Sequence, residues 1–209
     1  MKKTLTFLSL MASMASSALA GTVAIAPAPV LEPALPEKEW NSAMAFEAVC
    51  ALADQSVNPD LWGGRITFGM YKSSSSNNKL THEVNVGVAV LTGNGSCDGI
   101  GIEMEQIPLT IGYNMNYRVA DKWTAFAGAK LGVTHLDLDL EDDGNTIGDA
   151  DWGFQWSLNT GLKYELRKNV DVVLSYEFRR VYADLDDKMP YPNVNVGYHV
   201  LSAGLVIWF

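Results

Sequence analysis

Among 209 residues the chain carries 24 acidic against 15 basic side chains, a formal net charge of −9. That balance excludes nucleic acid as a partner, because phosphate binding needs a basic surface. Beyond residue 20 no apolar run reaches the ~18 residues that a transmembrane helix needs, so any membrane crossing must be made by strands.

Residues 1–20, MKKTLTFLSLMASMASSALA, read as a secretory signal peptide. Lys2 and Lys3 lead, an apolar stretch runs from Leu5 to about Met14, and Ala18-Leu19-Ala20 supplies a small-residue cleavage site before Gly21. Residues 21–41 follow as a Pro-rich periplasmic linker. Pro27, Pro29, Pro33 and Pro36 can neither donate to a ladder nor continue a helix, so the segment reads as an extended tether.

From residue 42 to Phe209 the hydrophobic period is two, and strands are expected at 42–50, 61–72, 79–91, 105–118, 122–136, 152–166, 169–182 and 198–209. In the sixth, Trp152, Phe154, Trp156, Leu158, Thr160, Leu162, Tyr164 and Leu166 alternate with Gly153, Gln155, Ser157, Asn159, Gly161, Lys163 and Glu165. Such runs exceed the five or six residues of an ordinary soluble strand and suit a tilted membrane strand. The connections alternate in length. Those at 73–78, 119–121 and 167–168 are short, and those at 51–60, 92–104, 137–151 and 183–197 are long. Aromatics fall into two belts: Tyr117, Trp123, Tyr164 and Phe209 beside short turns, and Trp62, Trp152, Tyr182 and Tyr198 beside long connections.

A soluble sandwich would show shorter strands and no such belts. The fold class expected is therefore all-β, an eight-stranded antiparallel transmembrane β-barrel with up-and-down meander connectivity over 42–209. In a bacterial outer membrane both termini would be periplasmic and the wall would meet outer-membrane lipid and lipopolysaccharide. The terminal run HVLSAGLVIWF can end on an aromatic because its strand closes the ring against the first and leaves no edge.

The stretch IPLTIGYNMNYRVADKWTAFAGAKLGVT, residues 107–134, followed by a terminal strand ending in Phe, resembles the small outer-membrane β-barrel family that includes the outer-membrane protein A membrane domain. The resemblance implies that the last strand, with Phe209, is the assembly signal read by the barrel assembly machinery. It also implies a family of anchors, adhesins, narrow pores and a few lipid-modifying enzymes. Its larger members carry a periplasmic peptidoglycan-binding domain, which is not expected here.

Eight strands enclose a lumen just wide enough for side chains. Its inward faces are expected to carry a charge network of Glu47, Arg65, Glu83, Arg118, Lys130, Lys163, Glu165, Asp171, Glu177 and Arg179. Buried charges must pair or be wet, so these form either a salt-bridge plug or the lining of a gated channel. Across the 167–168 turn, Lys163 and Glu165 are expected to face Glu177 and Arg179. Cys50 and Cys97 both fall toward the outer rim, where an oxidising compartment favours a disulfide; two unpaired thiols are the alternative.

Loop 3, HLDLDLEDDGNTIGDAD, concentrates carboxylates that attract hard cations. Asp139, Glu141 and Asp143 make a weak candidate site for a divalent cation, Ca²⁺ or Mg²⁺, although the EF-hand pattern fails at Glu141 and at Ala150; a solvated acidic loop is the simpler reading. His82, His135 and His199 have no nucleophile in a usable position, since His199 and Ser202 fall on opposite strand faces. No catalysis and no cofactor are expected. The function expected is a structural scaffold or adhesin-like surface protein displaying four extracellular loops of unspecified ligand. The alternative is a narrow pore for small solutes, and behind it a lipid A-modifying enzyme.

Overall fold

The computed structural model describes residues 40–54, 58–74, 79–97, 99–142, 145–185 and 193–209, with the side chains of Cys97, Asp142, Asn145 and Asn193 left out. The signal peptide and nearly all of the linker lie outside the described residues. Alternation carries the remainder into eight strands: β1 (Asn41–Ala53), β2 (Leu61–Ser73), β3 (Leu80–Cys97), β4 (Ile100–Ala120), β5 (Trp123–Asp142), β6 (Asn145–Arg167), β7 (Val170–Asp184) and β8 (Asn193–Trp208). They form one closed antiparallel barrel in sequence order. Closure is made by β1 against β8, with Ala43 opposite Trp208 and Ala53 opposite Tyr198, and the Phe209 amide donates to the Ser42 carbonyl at 3.0 Å.

The wall is longer than the alternating loop lengths suggested. Residues 92–104 and 137–151 are not loops: β3 and β4 remain paired up to Cys97 opposite Ile100, and β5 and β6 up to Asp142 opposite Asn145. The sequence between the strands of each hairpin is an Asp-Gly pair, Asp98-Gly99 and Asp143-Gly144. Gly99 has φ of +88°, a left-handed conformation that suits glycine in a tight hairpin turn. Leu136, Leu138 and Leu140 alternate with Asp137, Asp139 and Glu141, so the acidic stretch is itself an amphipathic strand. Two extended hairpins and two connections therefore stand at the end of the barrel opposite the barrel's own termini, the start of β1 and the end of β8, in place of four loops.

The outer face is apolar. Ile111, Val133, Leu158, Leu174 and Leu205 are exposed on it. Two aromatic levels bound this band: Trp123 packs against Tyr164 at 4.8 Å between ring centroids, and higher on the same strand pair His135 meets Trp152 at 5.2 Å. At about 3.3 Å per residue and a tilt near 40°, these levels stand roughly 30 Å apart, close to a bilayer's hydrocarbon thickness. The residues of β5 and β6 beyond His135 and Trp152 project past that band. Tyr198 departs from the expected belt: it points inward and is fully buried.

Candidate functional site

Inward-facing side chains stack in three levels along the barrel axis. The level farthest from the termini is apolar, although the expected inward residues are all charged. Val49, Leu61, Leu91, Met104, Leu136, Leu138, Val181, Val196 and Tyr198 pack there as a buried cluster. The few polar groups in it are local: Gln106 Nε2 donates to the Tyr198 hydroxyl at 3.0 Å, and that hydroxyl donates to Met104 Sδ at 3.3 Å. Neither amide atom of Gln155 has a partner among the described residues.

Beneath it lies a belt of buried charge. Arg65 grips Glu47 with two nitrogens, at 2.8 and 2.9 Å, and reaches Glu177 with a third at 2.8 Å. Lys130 Nζ donates to Glu177 at 2.8 Å, and Arg179 Nε to its other oxygen at 3.0 Å. Ser202 donates to Glu47 at 2.7 Å and accepts from Arg65 at 2.9 Å. Glu177 thus holds three cations drawn from β2, β5 and its own strand. Arg179 Nη1 has no partner among the described residues.

A second, smaller cluster sits nearer the termini. Lys163 donates to Glu83 at 3.0 Å and to Asn116 Oδ1 at 2.9 Å, while Asn116 and Asn85 both donate to Glu83. The expected cross-strand pairing of Lys163 and Glu165 with Glu177 and Arg179 does not occur. The β6–β7 register sets Glu177 opposite Asn159 and Arg179 opposite Ser157, with Glu165 opposite Asp171. Apart from Arg179 on its own strand, the cations that Glu177 holds, and the Glu83 that Lys163 holds, lie across the lumen on non-neighbouring strands. Such contacts depend on barrel closure and cannot be read from one hairpin.

Arg118, Glu165 and Asp171 join neither cluster. They line a cavity of about 520 Å³ that opens at the termini-bearing end, and Asp171 accepts from Trp208 Nε1 at 2.8 Å.

The register separates the two cysteines. Cys50 stands opposite Trp62, and Trp62 opposite Thr92, so Cys97 is farther along β3 and two strands away. At about 3.3 Å per residue and 4.8 Å per strand, their Cα atoms are some 15–20 Å apart, against the ~7 Å limit for a disulfide. The Cys50 thiol is free. Non-reducing mass spectrometry of the digested protein should therefore yield no peptide joining the two; recovering one would contradict the β1–β2–β3 register.

Asp139 and Glu141 lie on the outer face of β5, and Asp143 lies outside the described residues. Among the described residues no three His, Cys, Asp or Glu side chains converge as a metal site. The outer face instead opposes like charges, Glu103 across from Asp139 and Glu105 across from Asp137. All three histidines face outward beside aromatics: His82 Nδ1 is 2.5 Å from the Tyr113 hydroxyl, His199 Nδ1 is 2.7 Å from that of Tyr176, and His135 contacts Trp152. Ser202 is inside, separated by the wall from His199.

The outer membrane protein β-barrel domain family model matches residues 6–209. No curated protein matches the sequence. Among solved structures, the neisserial surface protein NspA is similar with a TM-score of 0.54 at 15% identity, covering 81% of this chain and 97% of that one. A major outer membrane protein from Thermus thermophilus gives 0.51 at 12% identity, covering 80% and 99%. The Yersinia pestis attachment invasion locus protein Ail gives 0.46 at 19% identity, covering 82% and 99%. At these identities the first two likenesses are ones of fold.

Proposed function

The chain belongs to the outer membrane protein β-barrel domain family, and we propose that it works there as a closed structural scaffold that presents its two extended hairpins at the cell surface for contact with other molecules. Its termini then lie in the periplasm, with the signal peptide removed and the linker as a tether. The barrel assembly machinery reads its last strand, Phe209 included, and lipopolysaccharide surrounds the far rim.

The observation that carries this reading is the stopped lumen. Leu61, Leu91, Leu136 and Tyr198 fill one level side to side, and the Glu47–Arg65–Glu177–Lys130–Arg179 belt fills the next. A solute would have to displace a packed apolar layer and then separate buried ion pairs. That counts against the narrow pore, and the separation of Ser202 from His199 counts against a lipid A-modifying enzyme.

Planar-bilayer recording of the refolded protein tests it. The expected result is a baseline without discrete, repeatable conductance steps; a stable unitary conductance would transfer the function to the pore. The contact role is tested by replacing residues 137–151 with a short Gly-Ser turn and comparing pull-downs from intact cells carrying the altered and unaltered chains. The barrel should still show a heat-modifiable gel shift while the captured partners are lost.

A further inference from the structure

The molecule separates its charge along the barrel axis. At the end opposite the termini the outer face carries Glu103, Glu105, Asp137, Asp139 and Glu141, all exposed. At the termini-bearing end the sign reverses. Lys79, Arg118, Lys122, Lys163 and Lys168 line the 520 Å³ cavity. They outnumber its three carboxylates, in a chain whose net charge is −9.

These cations differ in their engagement. Lys163 at the deep end is already held by Glu83 and Asn116. Arg118, Lys122 and Lys168 at the rim make no ion pair among the described residues. Arg118 has the parity of Asn114 and Asn116 on β4 and points into the mouth. The carboxylates Glu165 and Asp171 sit together on the β6–β7 side, and Asp171 is occupied by the Trp208 indole. Part of the cavity lining is aromatic, with Tyr71 and Trp208 ring centroids 4.5 Å apart. Its volume falls within the range of small-ligand sites.

We propose that this vestibule is a binding site for a phosphate-bearing ligand entering from the termini-bearing side, with Arg118 and Lys122 as its main contacts and Lys168 closing the rim. A guanidinium supplies paired donors that match phosphate oxygens, and neighbouring ammonium groups add charge without fixed geometry. The phosphate can arrive on a soluble metabolite or on a phospholipid headgroup of the adjoining leaflet. The stopped lumen makes the site a blind chamber, so its ligand is held and released through the same mouth. This inference does not depend on the surface role of the hairpins.

Inorganic pyrophosphate, titrated by calorimetry into the full chain in phosphatidylcholine nanodiscs, is the first test. Saturable binding is expected, weakened about tenfold or more in Arg118→Gln/Lys122→Gln, the loss that follows removal of charge-assisted contacts. Lys72→Gln, at the same end but on the outer face against Trp40, should bind as the unaltered chain does. Lys168→Gln serves as a second, milder variant should the double one fail to fold, and it too should weaken binding. No saturable binding, or an equal loss in Lys72→Gln, would overturn the proposal. Repeating the titration with phosphatidylglycerol in the disc separates the sources. Loss of the pyrophosphate signal by competition assigns the site to a headgroup, and its persistence assigns it to a soluble phosphate.

Discussion

Glu177→Gln should destabilise the folded barrel by roughly 3–5 kcal/mol, the cost of removing the charge that compensates buried ions. Arg65, Lys130 and Arg179 all donate to this one carboxylate, whose side chain is 2% exposed. Its neutral isostere keeps the shape and leaves three cations sharing Glu47 alone. Arg179→Ala should cost less, because Glu177 would retain Arg65 and Lys130 and a nitrogen without a partner would be removed. Leu174→Ala, on the lipid face and 60% exposed, provides the scale for a change that strands no charge. Urea unfolding in lipid vesicles measures all three. A loss for Glu177→Gln no greater than that for Leu174→Ala would mean that water reaches the belt and that it does not act as a plug.

The second large effect belongs to the apolar level. Leu136 is completely buried and touches no lipid, so Leu136→Ala should cost about 2–5 kcal/mol through lost burial and the cavity left behind. Val133, three residues earlier on the outer face and 45% exposed, should lose only about 1 kcal/mol on truncation to Ala, since lipid can fill the gap. Equal losses at the two positions would show that the upper lumen is loosely filled.

The barrel itself was legible because its signal is repeated. In β6 the alternation separates Leu158, which faces lipid, from Asn159, which faces the lumen. The strand ends were less legible. The residues Leu136 to Glu141 alternate as strictly as any other part of the wall, but a run of carboxylates equally fits a solvated loop or a cation site. The Asp98-Gly99 and Asp143-Gly144 pairs were the available hairpin signals. The upper plug carries the same parity as the charges: Val49, Leu91 and Val181 share the inward face of Glu47, Glu83 and Glu177 and differ only in height. Which charge meets which was beyond a linear reading, since Lys163 and Glu83 are brought together only by closing the ring. The distance between Cys50 and Cys97 likewise depended on how far β3 continues.

The strand lengths also carry a temporal consequence. β5 and β6 are joined from Trp123–Tyr164 to Asp142–Asn145, whereas β1 is held on one side from Asn41 to Ala51 and on the other from Ala43 to Ala53. The seams of the ring are therefore unequal, and the weakest two flank the same strand. Thermal opening is expected to start there and assembly to finish there: β3 to β6 are paired with their sequence neighbours, while β1 must wait for β8 from the far end of the sequence. Backbone amides of β1 should be the first in the wall to exchange with solvent deuterium and those of β5 the last. The ring that equilibrium presents as uniform is, on the scale of its own breathing, a sheet with a latch.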